Sequence, residues 1–302
     1  MKYIYDVLIV GGGPAGLSAA LTLGRARRHC LIIDDESPRN HVTKQSHTYL
    51  TRDGVKTSDF RVLARRDLIP YSTISTLKDN VLNVTVTNDL FQTETAGGNQ
   101  YHSRKILFST GLKDVLPPIT GLKEIYGKSA FLCPYCDGWE FRDHAIAVVG
   151  GQLADFHFIK ALTGWSHDLA LFTNGQSELS QKQFKELQER KIQVYHDAIK
   201  RYDHDHGRLK AVVLNNGQTV SRQVVFFNPP YIQPTNIPQR LGIPLNEKGL
   251  YETDKKGATR IHGFYLAGDN TNPLHQLVHA AADGAKAALH INMELIKADW
   301  KH

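Results

Sequence analysis

Short apolar runs that alternate with a glycine turn and a helical segment dominate the start of the chain. Residues 3–10 form an apolar, β-branched run that predicts a strand, and residues 11–16 (Gly-Gly-Gly-Pro-Ala-Gly) follow it directly. The alanine- and leucine-rich residues 17–24 predict the first turns of a helix. Residues 30–33 predict a second strand, which ends at Asp34. This order of strand, turn, helix, strand and acid is typical of a βαβ unit.

Three glycines of the turn have the spacing with which proteins bind a dinucleotide. Gly11 permits the tight turn, Gly13 lets the backbone approach a pyrophosphate, and Gly16 lets the helix pack on the strand. The N–H groups at the helix N-terminus then face the phosphates. Asp34 lies 18 residues after Gly16, where an acid that binds the ribose is expected. The adjacent Asp35 is the less favoured alternative, because Asp34 ends the strand.

The sequence Cys-Pro-Tyr-Cys-Asp at residues 133–137 carries the most specific chemistry of the chain. Cys133 and Cys136 are spaced to close a small disulfide, and a thiol at a helix N-terminus has a lowered pKa. Asp137 is a candidate to move the proton that accompanies thiolate release. A zinc site needs four ligands, and this pair with His144 leaves the set incomplete. We therefore predict a redox disulfide rather than zinc or two structural thiols.

A strand and a long helical segment close the chain. Residues 264–269 predict a strand that ends in Gly-Asp, and residues 274–296 are an alanine-rich helical stretch. A helix that begins at His275 and Gln276 would direct its positive end at a flavin ring. Asp269 is a candidate acceptor for ribityl or ribose hydroxyls. The near-neutral pKa of histidine also makes His275 a candidate base.

Composition narrows the class of protein. The 302 residues are 41% apolar and 22% charged, which is ordinary for globular domains and excludes disorder or coiled coil as a description of the whole chain. The formal charge of +6 comes without a block of like charges, so we predict no nucleic-acid partner. No apolar run reaches the roughly 18 residues that a membrane span requires. With no secretory signal at the start, we expect a cytoplasmic protein.

Two smaller features are interpreted as structural. Cys30 lies inside an apolar strand, and three cysteines do not make a disulfide framework. Residues 204–207 (His-Asp-His-Gly) lie between two strand-like stretches, so we predict a solvated hairpin there and no metal site.

In their order and spacing, these motifs resemble the low-molecular-weight thioredoxin reductase family over nearly the whole chain. The matching pieces are residues 11–16, Ser109-Thr110-Gly111 after a strand at 105–108, Cys133 and Cys136 with Asp137, Ala267-Gly268-Asp269, and Gln276 with residues 281–284. The resemblance implies an α/β protein of two Rossmann-like, three-layer ββα domains. Residues 1–114 and 245–302 would form a discontinuous FAD-binding domain. Residues 115–244 would form an inserted NADPH-domain-like module that carries the cysteine pair.

The resemblance also implies roles for single residues and a homodimeric assembly. Cys136 would face the flavin, Cys133 would react with the external disulfide or thiol, and Asp137 would be the acid–base group. The residues that would bind FAD are Gly11, Gly13, Pro14, Ala15, Gly16, Asp34, Thr110, Gly111, Gly268, Asp269, His275, Gln276 and Leu277.

The inserted module departs from the family pattern where NADPH should bind. In the turn after a strand at residues 145–149, Gln152 replaces a glycine and Asp155 replaces a small residue. A side chain at position 152 stands where backbone must approach a pyrophosphate, and the carboxylate of Asp155 opposes a phosphate. Residues 173–175 (Thr-Asn-Gly) lack the positive charges that the family uses for the 2′-phosphate. We therefore expect that ordinary NADPH use is lost.

Two kinds of enzyme and one non-enzyme remain as hypotheses. In the first, another donor such as ferredoxin supplies electrons that leave through the cysteine pair to a thioredoxin-like disulfide; the +6 charge suits such acidic protein partners weakly. In the second, a small dithiol reduces the pair and oxygen is the final acceptor, as in the gliotoxin- and holomycin-type dithiol oxidases. Residues 37–40 (Ser-Pro-Arg-Asn), His47, and the Gly-Trp-Glu at residues 138–140 resemble that branch, whereas Asp137 matches the reductases. The third is a flavin-binding sensor or scaffold, against which the intact Cys-x-x-Cys-Asp motif argues.

Overall fold

The structure, a computed structural model, describes residues 3–301 and contains two α/β units, each built on its own sheet. The helices are α1 (Pro14–Arg25), α2 (Thr57–Arg66), α3 (Leu122–Ile125), α4 (Pro134–Asp137), α5 (Leu153–Leu162), α6 (Gln181–Glu189), α7 (Ile237–Arg240) and α8 (Leu277–Asp299), with a 3-10 helix at Arg39–Val42. The strands are β1 (Ile4–Val10), β2 (Cys30–Asp34), β3 (Gln45–Ser46), β4 (Val55–Lys56), β5 (Ile74–Lys78), β6 (Val81–Thr87), β7 (Leu90–Thr95), β8 (Gln100–Phe108), β9 (Lys113–Asp114), β10 (Ala130–Phe131), β11 (Ile146–Val149), β12 (Leu169–Phe172), β13 (Gln193–Tyr195), β14 (Ile199–Asp205), β15 (Arg208–Leu214), β16 (Thr219–Ser221), β17 (Val224–Phe227), β18 (Tyr231–Ile232) and β19 (Phe264–Leu266).

The first unit is a sheet in the order β5-β2-β1-β8-β7-β6, with β19 also paired to β8. Strand β1 is apolar on both faces because both faces are covered. Val7 and Ile9 pack against α1 and α8, whereas Leu8 and Val10 pack against side chains of β6, β7 and α7. The helices α1 and α8 cross closely, since a side chain at Gly284 would stand 1.9 Å from the carbonyl oxygen of Ala15. This unit uses both ends of the chain.

The second unit is a parallel sheet in the order β10-β17-β11-β12-β13. Helices α5 and α6 cover one face, where Phe156 and Leu187 pack on Val148. The antiparallel strands β14, β15 and β16 cover the other face, where Val212 packs on Ala147. Two Rossmann-like three-layer units, one of them assembled around the other, confirm the predicted fold class. No helix within residues 3–301 is long and apolar enough to cross a membrane.

The two connections between the units run side by side as a short antiparallel ladder of β9 and β18. The N–H of Val115 also donates to the carbonyl oxygen of Pro230 at 2.8 Å. After β18 the chain enters the core of the first unit, where Ile237 and Ile243 are buried. The division at residues 114 and 244 stays a prediction, and this packing leads us to propose that the chain returns to the first unit near residue 231 instead.

Candidate active site

The first glycine turn, between β1 and α1, leaves an open space in front of the helix N-terminus. Gly11 has φ +102°, and a side chain at Gly16 would stand 2.0 Å from the Gly11 carbonyl oxygen. A side chain at Gly13 would meet no atom of residues 3–301 within 4 Å. Helix α1 begins with Pro14, has no acid in its first turn and receives no side-chain cap from the described chain. Its free N–H groups therefore suit an anion from outside the protein.

A cavity of about 260 Å³ opens beside this turn. Its lining includes Gly12, Asp34, Glu36, Arg65, Thr76 and Lys78. The Asp34 carboxylate accepts a hydrogen bond from the Arg65 guanidinium at 2.8 Å. The carboxylate of Asp35 accepts the backbone N–H of Ser37 at 3.0 Å instead. Asp34 thus lies where its carboxylate can accept hydrogen bonds from the hydroxyl groups of a ribose placed in the cavity.

Three buried polar atoms without hydrogen-bond partners in the described chain lie beyond the carboxyl ends of the strands of the same sheet. Oγ1 of Thr110, Oδ1 of Asn270 and Nε2 of His275 are buried and have no hydrogen-bond partner among residues 3–301. Thr110 follows β8 and Asn270 follows β19, which are neighbouring parallel strands. Because buried polar groups in proteins are nearly always hydrogen-bonded, three such atoms at one edge fit a polar ligand.

The remaining predicted cofactor residues from both ends of the chain lie at this edge as well. Pro14 and Ala15 open α1, and a side chain at Gly268 (φ +88°) would come within 3.0 Å of the Ala15 Cβ. Gln276 immediately precedes α8 and Leu277 is its first residue. Gly111 has φ +64° and borders open space, with no described atom within 4 Å of the position of a Cβ. Their role as ligands stays a prediction.

The side chain of Arg39 contacts two carboxylates that lie in separate segments at this edge, Asp114 and Asp269. In the sequence, Arg39 stands out only as part of residues 37–40, which resemble the dithiol oxidases. Its guanidinium donates to the Asp114 carboxylate in a two-pronged pair, at 2.9 Å from Nε and 2.5 Å from Nη2. Nη1 lies 3.5 Å from the Asp269 carboxylate, and the hydroxyl of Tyr126 donates to Asp114 at 2.7 Å. No spacing rule could have found this network, because its members come from four separate segments.

The environment of this cluster shifts the pKa values of two of its groups toward the neutral form. Burial raises the pKa of Asp269 to about 6, although Arg39 acts in the opposite direction. Burial, with the nearby charge of Arg39, lowers the pKa of His275 to about 4, so its imidazole is neutral at pH 7. The ring of Tyr231 meets His275 edge-on with 5.5 Å between ring centres. A neutral imidazole can donate or accept a hydrogen bond there.

The cysteine pair lies at the start of α4 in the second unit. Cys133 is the N-cap residue, and the two Sγ atoms are 2.8 Å apart as free thiols. A hydrogen bond from the Cys136 thiol and the N–H groups of Cys136 and Tyr135 lower the pKa of Cys133 to about 7, although burial opposes this. The same thiol hydrogen bond, together with burial, raises the pKa of Cys136. Cys133 is therefore the better nucleophile at neutral pH.

Asp137 follows the pair directly and is half-buried. Burial raises its pKa to about 7, with further contributions from the charges of Cys133 and Glu140. A carboxyl group with a pKa near the working pH can both accept and release a proton, which is what thiol–disulfide exchange requires. Glu140 in turn lies 3.5 Å from Nε2 of His47, a residue of the first unit. The structure thus brings His47 to the cysteine-bearing segment.

The second glycine turn, between β11 and α5, already holds an anion of its own. The Asp155 carboxylate accepts the backbone N–H of Gln152 at 2.9 Å and is buried. A side chain at Gly150 would stand 2.2 Å from the same carboxylate. Burial raises the pKa of Asp155, against the opposing hydrogen bonds from Gln152 and Asn228. The space in front of α5 therefore contains a protein carboxylate, unlike the space in front of α1.

The loop after β12 covers this turn from outside. The N–H of Glu178 donates to the Gly151 carbonyl oxygen at 2.8 Å, and a side chain at Gly151 would stand 2.0 Å from the carbonyl oxygen of Gln176. Asn174 accepts the backbone N–H of Ile199 at 2.8 Å, so its side chain is engaged within the fold. Residues 173–178 carry no cation for a 2′-phosphate.

Two dinucleotide-binding folds with a dithiol turn in the second define the class of a flavin- and disulfide-dependent oxidoreductase. The family model of pyridine nucleotide-disulphide oxidoreductases matches residues 5–285, and the chain belongs to this family. A probable thioredoxin reductase of Arthroderma benhamiae is 30% identical, over 97% of this chain and 81% of its own length. A solved structure described as a putative thioredoxin reductase TrxB from Bacillus anthracis is 34% identical with a TM-score of 0.93, over 98% of this chain and 99% of that one. The structure of HlmI is 30% identical with a TM-score of 0.94, over 100% of this chain and 96% of that one.

The cofactor of this family is FAD, and the first unit fits it. The free N-terminus of α1 suits the pyrophosphate, the Asp34 cavity suits the adenosine half, and the unpartnered atoms of Thr110, Asn270 and His275 suit polar atoms of the flavin half. When bound, FAD supplies a carrier for two electrons. The predicted cofactor and the predicted enzyme class, a flavin-dependent disulfide oxidoreductase similar to thioredoxin reductases, are thereby confirmed.

Proposed function

We propose that this oxidoreductase does not take its electrons from NADPH. One observation carries the proposal: the Asp155 carboxylate occupies the N-terminus of α5 and accepts the Gln152 N–H at 2.9 Å. A pyrophosphate would have to displace this carboxylate or share a desolvated space with it, and two like charges at such a distance repel strongly. The loop at residues 173–178 adds no compensating cation.

Without a nicotinamide, the electrons enter or leave through the cysteine pair, and we propose that they enter there from a small dithiol. Cys133 is half-buried, so a small thiol reaches its sulfur more easily than the disulfide loop of a protein does. In the balanced step, the dithiol becomes a disulfide while the oxidised Cys133–Cys136 pair takes up two electrons and two protons. Overall, oxygen is the two-electron acceptor and hydrogen peroxide the product. This is the dithiol oxidase hypothesis.

Within that step the three residues have distinct proposed roles. The thiolate of the incoming dithiol attacks the Cys133 sulfur and the Cys133–Cys136 bond breaks, with Cys136 as the leaving thiolate, in keeping with the outer position that the family resemblance implies for Cys133. Asp137 accepts the proton of the incoming thiol, since its pKa lies near 7. Cys136 is the inner sulfur that faces the flavin.

The transfer of electrons from a protein donor such as ferredoxin to a thioredoxin-like disulfide is the second candidate. The formal charge of +6 supports it, as does the similarity to proteins named thioredoxin reductases. A homodimer and a cytoplasmic location stay predictions for either function.

An anaerobic titration of the flavin-loaded protein separates these hypotheses. The main visible absorbance of the flavin is followed as NADPH is added, and then as dithiothreitol is added. We expect no bleaching with stoichiometric NADPH and complete bleaching with the dithiol, followed by recovery of the colour in air. Rapid bleaching by NADPH would refute the proposal. Slow recovery in air but fast transfer to oxidised thioredoxin would favour the second candidate.

The roles of the two cysteines have a separate optical test. In Cys133→Ser the remaining Cys136 thiolate, if it faces the flavin, produces a long-wavelength charge-transfer band at alkaline pH. The matched variant Cys136→Ser lacks the inner sulfur and should show no such band. A band in the second variant and none in the first would reverse the assignment.

A further inference from the structure

The two connections between the units form a natural pivot. They are two-residue strands, β9 and β18, joined to each other and not to either main sheet. A ladder this short resists twisting only weakly, so other contacts have to fix how the second unit sits on the first. Three groups of contacts near the pivot do this.

The first is the carboxylate of Asp114, which stands on the pivot itself. Its side chain is only 6% exposed. It accepts two hydrogen bonds from Arg39 of the first unit and one, at 2.7 Å, from the hydroxyl of Tyr126 of the second. Hydrogen bonds to a buried charge are among the stronger polar contacts in proteins. The three side chains thus tie both units to the pivot.

The second contact is backbone packing beside Tyr126. A side chain at Gly127 (φ +74°) would stand 2.5 Å from the carbonyl oxygen of Val42, in the 3-10 helix that contains Arg39. The third contact is His47 of the first unit, 3.5 Å from Glu140 of the second. The charge of Asp137, the last residue of α4, acts on Tyr126, and Glu140 follows α4 by three residues, so these contacts lie near the cysteine pair.

We propose that Tyr126, Asp114 and Arg39 form an interdomain clasp that holds the cysteine pair against the flavin-binding unit. Tyr126 is a positioning residue in this clasp, because its hydroxyl is the member that belongs to the second unit. The clasp limits access to Cys133 to small reagents and keeps the second unit from turning on the β9–β18 pivot. The proposal does not depend on the identity of the electron donor.

Alkylation of the reduced, flavin-loaded protein with two reagents of different size tests the clasp. N-Ethylmaleimide reports on the reactivity of the Cys133 thiol. The same maleimide group coupled to a polyethylene glycol of about 5 kDa reports on access, because the two reagents differ only in size. In Tyr126→Phe we expect the rate with the large reagent to rise by about tenfold while the rate with N-ethylmaleimide stays unchanged. Asp114→Asn, which loses the charge that both partners bind, should show an equal or larger effect. A Cys136→Ser background confines the reaction to Cys133 and the buried Cys30.

Tyr195→Phe is the matched control, because its hydroxyl donates only to Gln193 of the same strand in the described chain. This variant should behave like the wild type with both reagents. The proposal is overturned if Tyr126→Phe leaves the large reagent as slow as in the wild type. It is also overturned if both reagents speed up equally, which would mean a change in thiol chemistry, or if the wild type already reacts equally fast with both.

Discussion

The two glycine turns of this chain have the same position in their folds and opposite electrostatics. In front of α1 no side chain of the described residues caps the helix, and a Cβ at Gly13 would meet open space. In front of α5 the Asp155 carboxylate accepts a backbone N–H and fills the space beside Gly150. A helix N-terminus attracts an anion in either case. The first turn of α5 contains an acid, Asp155, whereas the first turn of α1 contains none.

Closing the open turn should have the largest effect. Gly13→Val places a branched side chain in the space in front of α1 without touching any described atom within 4 Å of its Cβ, so the fold should survive. The FAD content of the purified protein, measured by visible absorbance, should fall to nearly zero because the pyrophosphate loses its place. Gly164→Val, after α5, is the control and should retain its flavin. Full flavin content in Gly13→Val would place the cofactor elsewhere.

The next effect concerns the proton carrier beside the cysteine pair. Asp137 has a pKa of about 7, so the carboxylate that accepts the substrate proton predominates only above that pH. The rate of flavin reduction by a dithiol should therefore rise through about pH 7 in the wild type. In Asp137→Asn that inflection should vanish and the rate above pH 7 should fall about 100-fold. A stopped-flow pH profile measures both.

The conservative substitution Glu140→Gln, at a residue near Asp137, gives a second test of the role of Asp137 as proton carrier. The charge of Glu140 contributes to the raised pKa of Asp137, so its removal should move the inflection to lower pH. The plateau rate at high pH should stay close to that of the wild type. An unchanged inflection in both variants would exclude Asp137 as the proton carrier.

The same two glycine turns show which features of the fold the sequence predicts and which it does not. The glycine spacing and the acid at position 34 predicted the βαβ unit correctly, because backbone geometry alone demands glycine at those points. The predicted helix after the first turn begins earlier in the structure, at Pro14 rather than at residue 17, since proline suits the first helical position. The substitutions Gln152 and Asp155 could be read directly from the sequence, but the hydrogen bond between them could not.

The hydrogen-bond network around Arg39 could not be predicted from the sequence, for a physical reason. Arg39, Asp114, Tyr126 and Asp269 lie in four segments that only the assembled sheets bring together. Their pairing depends on interdomain packing, which leaves no periodic pattern in the chain.

Emptying the second turn should have a moderate effect. In Asp155→Ala the Gln152 N–H is freed and a buried negative charge is removed from in front of α5. The rate of flavin reduction at a fixed NADPH concentration should increase by about tenfold or more from its low wild-type value. It should stay well below that of a typical reductase, because residues 173–178 still offer no cation to the 2′-phosphate. Ser180→Ala, which removes the cap of α6 instead, is the control for a helix-capping effect alone.

The smallest expected effect is on the free energy of unfolding. The direction in which the contribution of Asp155 changes with pH distinguishes a buried charge from an ordinary helix cap. Burial raises the pKa of Asp155, so between pH 4 and the native pKa the folded state binds more protons than the unfolded state does, taking about 4 as the usual pKa of aspartate. The free energy of unfolding contributed by this residue therefore falls as the pH rises through that window. Asp155→Asn keeps an acceptor for the Gln152 N–H but does not titrate.

Urea unfolding of wild type and Asp155→Asn at pH 5 and pH 8 measures this difference. The variant should gain stability relative to the wild type as the pH rises, by no more than about 1 kcal/mol, the usual value of a helix cap. The opposite trend would mean that the α5 N-terminus lowers the pKa of the carboxylate more than burial raises it. The second turn would then favour an anion as strongly as the first, and the two turns would differ only in where their anion comes from.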